Sequence, residues 1–195
     1  MKLKNFSDQE LIERFIKGDK ECMETLIHRH KKNIYSYILM NVKNSHIADD
    51  LFQETFIKVI SSLKQGKYVD KGKFSSWVIR IAHNLTIDHF RREKSLNTFS
   101  NDDSTVDVFN SEKFSHENIE DQIVGEQIEN DIRSLIEFLP EEQKVIIMLR
   151  HYGGMSFKEI AEQTNVSINT ALGRMRYALI NLRKIIEEKN IVLTK

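Results

Sequence analysis

Residues 156–183 read SFKEIAEQTNVSINTALGRMRYALINLR and carry the signals for two helices around a tight turn. Ser156 is a good N-cap, and Glu159 three residues later completes a capping box. Asn165 tolerates the left-handed backbone that such a turn needs, and Ser167 can cap the second helix. The stretch therefore predicts a helix-turn-helix.

The second of these helices has the side chains of a DNA-reading helix. Asn169 and Thr170 fall in its first turn, the end that enters the major groove in helix-turn-helix proteins. Arg174, Arg176 and Arg183 follow and suit phosphates or guanine edges. The alternative is an ordinary helical hairpin with a solvated basic face. Because the caps, the turn and the arginines agree, the pattern favours DNA binding.

Composition limits the class of protein. The chain has 195 residues, of which 40% are hydrophobic and 30% charged, as in a soluble protein with packed cores. Its single cysteine excludes an internal disulfide and fits a reducing cytoplasm. The N-terminus lacks a signal-peptide pattern, and no run of about 18 apolar residues predicts a membrane span. We expect a cytoplasmic protein that does not insert into a membrane.

Charge is distributed unevenly, although the formal net charge is zero. Residues 96–130 contain nine acidic residues and one lysine, whereas the segments on either side are net basic. Serine, asparagine and aspartate dominate this acidic segment, which suits an extended or flexible linker. The pattern predicts an N-terminal domain at 1–95, a linker at 96–130 and a C-terminal domain at 131–195.

The remaining periodicity is helical, and no run alternates as a strand would. Ser7 and Glu10 form a second capping box, while Asp19 and Ser45 are predicted to cap the next two helices. Helix is expected to resume near Asp121, in the last part of the acidic segment. The fold class predicted is all-α, with two small helical domains and a helix-turn-helix in the C-terminal one.

The segment FSSWVIRIAHNLTIDHFRREK, residues 74–94, predicts a helix with one apolar and one polar face. The buried stripe is predicted to contain Trp77, Val78, Ile81, Ala82, Leu85 and Phe90. The opposite face is predicted to contain Arg80, His83, Asn84, Asp88 and Arg91. A basic face that includes an amide can hold phosphates and hydrogen-bond a base. A solvated basic face over a core tryptophan explains these residues equally well.

The loop before that helix adds lysines beside aromatic rings, a mixture able to hold an unpaired strand by charge and stacking. The lysines are Lys67, Lys71 and Lys73, and the rings are those of Tyr68 and Phe74.

Three segments together identify a family. DDLFQETFIKVISSL at 49–63, the segment at 74–94, and LPEEQKVIIMLRHYGGMSFKEIA at 139–161 resemble the extracytoplasmic-function sigma factors of bacteria. These proteins have two helical domains joined by a linker, and the resemblance extends over nearly the whole chain. It implies core RNA polymerase and promoter DNA, both duplex and melted, as partners. Many relatives are held inactive by an anti-sigma factor, which makes such a protein a further candidate partner.

The resemblance also implies residue roles. The helix that docks on the polymerase clamp would present Asp50, Gln53, Glu54 and Ile57, although a solvated acidic helix face is the alternative. The minus-ten element would be read by Lys73, Arg80, His83, Asn84, Arg91 and Arg92, with Asn84 on a base flipped out of the duplex. The minus-thirty-five element would be read by Ser167, Asn169, Thr170, Arg174, Arg176 and Tyr177.

Many relatives carry a basic residue where this chain has Ala171 and Leu172, so the preferred minus-thirty-five sequence is open. The acidic linker matches the segment that occupies the RNA path of polymerase in the family, and a flexible tether is the alternative.

No enzyme, cofactor or metal site is expected. His28 and His30 are two residues apart and so point to different helix faces, and no zinc motif accompanies them. There is neither a phosphate-binding glycine loop nor a nucleophile motif. One alternative function, a nucleic-acid enzyme such as a nuclease, lacks a carboxylate or metal cluster in the sequence. The other alternative is a stand-alone, dimeric operator-binding regulator that uses only the helix-turn-helix. That function leaves the N-terminal motifs unexplained.

Overall fold

The computed structural model describes residues 3–68, 72–97 and 134–189. The predicted linker beyond residue 97 and the helix expected near Asp121 lie outside these ranges. Within them the structure is helical and contains no strand, which confirms the all-α prediction. After a 3-10 turn at Leu3–Asn5 come α1 (Asp8–Ile16), α2 (Lys20–Val42), α3 (Ser45–Lys64) and α4 (Phe74–Asn97), then α5 (Glu141–His151), α6 (Phe157–Thr164) and α7 (Ile168–Glu188).

The chain forms two compact units, one built on α1–α4 and the other on α5–α7. The domain boundaries at 95 and 130 stay predictions. In the first unit α2 is central, because α1, α3 and α4 all pack against it. The largest fully buried side chains of this unit are Leu11, Leu26, Ile34, Tyr37, Ile38, Leu63, Phe74 and Ile79.

The helix starts follow the predicted caps with one correction. Ser7 and Glu10 form the predicted capping box, and Asp19 occupies the N-cap of α2 without a side-chain cap bond. The prediction that Ser45 caps α3 is wrong, because Asn44 is the N-cap and accepts a hydrogen bond from the backbone N–H of Ile47. Asparagine and serine are comparable N-caps, so sequence alone did not separate these neighbours.

The apolar face of α4 also differs from the predicted stripe. Ile79 is fully buried, whereas Ile81 is only partly buried and Phe90 is exposed. Five positions separate Phe90 from buried Leu85, which rotates it by about 140° around the helix axis and away from α2 and α3. The observed face runs through Phe74, Val78, Ala82, Leu85 and Thr86.

In the second unit, the helix-turn-helix forms as predicted. Ser156 and Glu159 make the capping box of α6, and Ser167 caps α7 by accepting from the backbone N–H of Thr170. Asn165 adopts the left-handed conformation, with φ of 54°. Its amide N–H bonds back to the last turn of α6, which ends that helix and starts the turn.

A buried lysine helps to join α5 to the preceding helical turn at 134–137. The Nζ atom of Lys144 is 3.6 Å from carboxylate oxygens of both Glu137 and Glu141. Because a buried ammonium is costly without partners, the two carboxylates offset its desolvation.

Asp8 connects α1 to α2 in the first unit. Its carboxylate bonds to Arg29, and its other oxygen lies 2.8 Å from Nε2 of His30. The hydrogen bond with His30 is the largest cause of a lowered pKa for Asp8. Burial opposes it, and Arg29 lowers the pKa further.

We expect Asp8→Asn to make stability less dependent on acid pH. Since the folded-state pKa of Asp8 lies below its unfolded value, its stabilising contribution is present above the unfolded pKa and is lost as pH falls through the folded one. Urea unfolding from about pH 7 down to about pH 2 should show that the difference in free energy of unfolding between wild type and the variant shrinks in acid. A constant difference across this range would contradict the assignment.

Candidate nucleic-acid interface

His83 lies in the core rather than on the DNA-facing surface. Its side chain is 7% exposed, and its Nδ1 is 2.7 Å from the hydroxyl of Tyr37 on α2. Burial lowers the pKa of His83, which favours the neutral ring. One turn separates His83 from fully buried Ile79, so both face α2. The prediction that His83 contacts DNA is therefore corrected to a packing role.

Asn84, the next residue, is exposed and lines a cleft between α3 and α4. The rotation of about 100° from His83 to Asn84 carries the amide out of the core. The cleft has a volume of about 340 Å³, enough for a nucleobase, and it is open to solvent. Its lining residues are Lys58, Ser61, Ser62, Gln65, Lys67, Ile81, Asn84 and Leu85.

The α3 wall of this cleft is a set of polar residues that sequence reasoning missed. The Gln65 side chain donates to the hydroxyl of Ser61 at 2.8 Å, which orders the end of α3. Lys58 contributes an ammonium group from one turn earlier. Nothing in the spacing of these residues indicated a site, because they meet Asn84 only when α3 packs on α4.

Three of the four predicted basic residues around Asn84 are exposed, and the fourth, Arg80, is partly buried. Arg80 lies one turn before Asn84 and is partly buried, and its Nε is buried without a hydrogen-bond partner in the described part of the chain. Arg91 is exposed and lies 3.8 Å from Asp88, while Arg92 and Lys73 are also exposed. The structure thus places Arg80, Arg91 and Arg92 along the same helix as Asn84.

Aromatic rings lie next to the cleft. Tyr68 follows cleft-lining Lys67, and its ring centroid is 4.4 Å from that of Trp77 on α4. Trp77 is partly buried rather than enclosed in the core. The loop before α4 thus brings Lys67 and the Tyr68 ring close to Trp77 of α4, a combination of charge and aromatic rings that suits an unpaired strand.

The predicted polymerase-docking residues share one face of α3. Asp50 and Gln53 are exposed, and the Ile57 side chain is 66% exposed despite being apolar. Glu54 lies between them and pairs with Lys58 at 3.5 Å. These residues recur at intervals of three and four along α3, so they form one face that is open to a partner.

On α7, most of the predicted DNA-reading residues are exposed. Asn169, Thr170 and Arg176 lie on the surface, and the Tyr177 ring is 62% exposed. Ser167 is engaged in capping, since its hydroxyl accepts a 3.0 Å hydrogen bond from the backbone N–H of Thr170. The recognition helix therefore has a polar N-terminal end available for a groove.

Arg174 differs from the other basic residues of this helix. Its Nη2 is 3.0 Å from the carboxylate of Glu142 on α5, and its side chain is largely buried. Arg174 thus joins α7 to α5, and a phosphate contact from it would require leaving Glu142.

An apolar groove of about 480 Å³ follows on α7, between the arginines Arg176 and Arg183. Its apolar walls are Phe157, Leu172, Met175, Leu179 and Ile180. Ala171, on the same helix, is fully buried, so the residues that depart from the commoner family pattern divide between the core and this groove.

No group of three or more His, Cys, Asp or Glu side chains that could hold a metal occurs among the described residues. In the same ranges, no helix is both long and apolar enough to span a bilayer.

Comparison with known families matches both units. The model of sigma-70 region 2 matches residues 26–96, and that of sigma-70 region 4 matches residues 129–177, together more than half of the chain. The chain is 28% identical over 176 residues to the extracytoplasmic-function RNA polymerase sigma factor SigW of Bacillus subtilis (strain 168), covering 89% of this chain and 93% of SigW. It is 27% identical over 187 residues to the sigma-E factor of Haemophilus influenzae, covering 94% and 95%.

Solved structures show the same fold. CnrH in complex with the cytosolic domain of CnrY aligns over 94% of this chain and 99% of CnrH, with 20% identity and a TM-score of 0.59. The sigma factor RpoE bound to the anti-sigma factor NepR from Bartonella quintana aligns over 84% and 96%, with 16% identity and a TM-score of 0.64.

The fold and these matches define an RNA polymerase sigma factor, a protein that directs core polymerase to promoters. Within this class, the chain belongs to the extracytoplasmic-function family. Its partners are core RNA polymerase and promoter DNA. The match of region 2 explains the N-terminal motifs, which a stand-alone operator-binding regulator would leave without a role.

We expect Tyr37→Phe to destabilise the protein by about 1–2 kcal/mol, because it leaves the buried Nδ1 of His83 without its partner. Urea unfolding measures the loss. Promoter binding by the folded variant, assembled with core polymerase, should stay at the wild-type level. Loss of DNA recognition without loss of stability would return His83 to the DNA-contacting set.

Proposed function

We propose that the two units of this sigma factor have different binding roles, each of which depends on particular residues. Domain 1–95 binds polymerase and reads the minus-ten element, and domain 131–195 reads the minus-thirty-five element. Residues 96–130 form the acidic connection, suited by charge to a channel that otherwise holds RNA. The protein acts by binding alone, without catalysis, and in the cytoplasm. The cleft beside Asn84 is the observation that carries this proposal.

Asn84 reads a base that has left the duplex. The cleft accommodates one base, and the Asn84 amide supplies both a donor and an acceptor to the edge of the base. Flipping a base costs a few kcal/mol, so cations are needed to hold the backbone of the open strand. Arg80 supports this role because it lies one turn before Asn84 on the same helix and is partly exposed. Lys73, Arg91 and Arg92 add charge along the same strand path.

The α3 face docks on polymerase through Asp50, Gln53, Glu54 and Ile57. Support comes from the exposure of apolar Ile57 among polar and acidic groups, an arrangement in which charge orients the partners and the apolar contact adds affinity.

The N-terminal end of α7 reads the minus-thirty-five element in the major groove. Asn169, Thr170, Arg176 and Tyr177 are exposed there, and Ser167 positions the first turn. Arg174 joins them once it leaves Glu142.

An anti-sigma factor is a further proposed partner. CnrH and RpoE, which share the fold, are described in complexes with CnrY and with the anti-sigma factor NepR. The exposed apolar groove on α7 offers such a protein a surface.

Asn84→Ala should lower open-complex formation on duplex promoters by about tenfold, the effect of losing one good base contact. Core binding should not change, because Asn84 is not on the docking face of α3. Permanganate footprinting of the melted strand measures opening. Asn33→Ala, which alters another exposed helical asparagine, is the matched control. Equal opening by the Asn84 variant and wild type would remove Asn84 from the reading role.

Glu54→Lys should weaken binding to core polymerase by about tenfold at low salt, since it reverses a charge in the docking face. The defect should shrink as added salt screens the interface. Fluorescence anisotropy of labelled sigma factor measures affinity, and circular dichroism checks that the variant is folded. Glu24→Lys makes the same change on the exposed surface of α2. If the two variants bound core polymerase with the same affinity, the proposed docking face of α3 would be an ordinary solvated helix face.

A further inference from the structure

Lys58 lies between two surfaces that the proposed function uses separately. Its Nζ is 3.5 Å from Oε1 of Glu54, one turn earlier on α3, within the proposed polymerase-docking face. The same side chain lines the cleft that contains Asn84. Lys58 was not among the residues that the sequence pointed to.

The two surfaces compete for one ammonium group. The side chains of Lys58 and Glu54 are 49% and 42% exposed, so burial does not lock the pair. Exposed ion pairs of this kind contribute little, and a nucleotide in the cleft offers phosphate and base acceptors instead. A lysine also has a long flexible stem that lets its ammonium move between partners.

The charge of Glu54 decides which of the two surfaces holds the Lys58 ammonium. While the Glu54 carboxylate is available, it draws the ammonium toward the docking face. A polymerase cation that pairs with Glu54 removes this attraction and returns the charge of Lys58 to the cleft. The cleft then presents the ammonium groups of both Lys58 and Lys67 to the strand.

We propose that Lys58 is a further DNA-binding residue, and that Glu54 restrains it until Glu54 docks on polymerase. This inference rests on the proposed function, because it takes the cleft as the nucleotide site and Glu54 as a docking residue. Coupling between binding sites is reciprocal, so a nucleotide that holds Lys58 also leaves Glu54 available to polymerase. Polymerase docking and strand capture would then favour each other.

The test uses the full-length protein without polymerase and a fluorescein-labelled single strand. The strand carries the non-template minus-ten element of a promoter mapped by sequencing the transcripts that the holoenzyme makes. Anisotropy gives the affinity of wild type, Glu54→Gln, Lys58→Gln and the double variant. Glu24→Gln, which removes a carboxylate from exposed α2, controls for the change in net charge.

Glu54→Gln should raise affinity for the strand about two- to fivefold, the range expected for releasing an exposed ion pair. Glu24→Gln should change it less, and Lys58→Gln should lower it. In the Lys58→Gln background, Glu54→Gln should bring no gain, because the residue it releases is absent.

Two outcomes would overturn the inference. One is a gain from Glu54→Gln no larger than that from Glu24→Gln, and the other is an equal gain in the Lys58→Gln background. Asn84→Ala, measured on the same strand, separates this result from a failure of the proposed function. If Asn84→Ala lowers affinity and Glu54→Gln does not raise it, only the restraint is wrong. If Asn84→Ala has no effect, the cleft is not the nucleotide site.

Discussion

The buried face of α4 fixes the rotation of this helix, and the proposed minus-ten surface depends on that rotation. Phe74, Val78, Ile79 and Ala82 lie in the core, and the buried 2.7 Å hydrogen bond between Tyr37 and His83 joins the central helix α2 to the same face. With His83 turned inward, Asn84 must point toward α3, and Arg80 follows it one turn away. A small rotation of α4 would move the amide out of the cleft, so a core contact sets the position of a surface residue.

The first unit therefore separates its surfaces by helix geometry rather than by distance along the chain. Residues of α3 one or two turns apart belong to the proposed docking face, the core and the cleft. Ile57 and Val59 are only two positions apart, yet the first is exposed and the second fully buried. Lys58, between them, reaches both the docking face and the cleft. Because the two surfaces are this close, polymerase bound at the proposed docking face could change the affinity of the cleft for DNA.

In the second unit, a different set of contacts positions the exposed helix α7. The cap of Ser167, the left-handed Asn165 and the buried Ala171 position α7 so that its polar end is exposed. The ion pair of Arg174 with Glu142 then holds the middle of α7 on α5. A residue type that suits phosphate binding is here part of the packing, and only the contact with α5 distinguishes the two roles.

Sequence by itself determined the helices, both capping boxes, the turn at Asn165, the charge segregation and the family. These are local features, in which a side chain bonds to the backbone a few residues away or charges cluster along the chain. Tertiary structure decided that His83 is buried while Asn84 is exposed, that Arg174 pairs with Glu142, and that the end of α3 forms a wall of the cleft. Adjacent helical residues differ by about 100° in direction, so a periodic pattern defines a face only to within a residue. Which of two neighbouring residues is buried depends on the helix that packs against them, and the residues of that helix lie elsewhere in the chain.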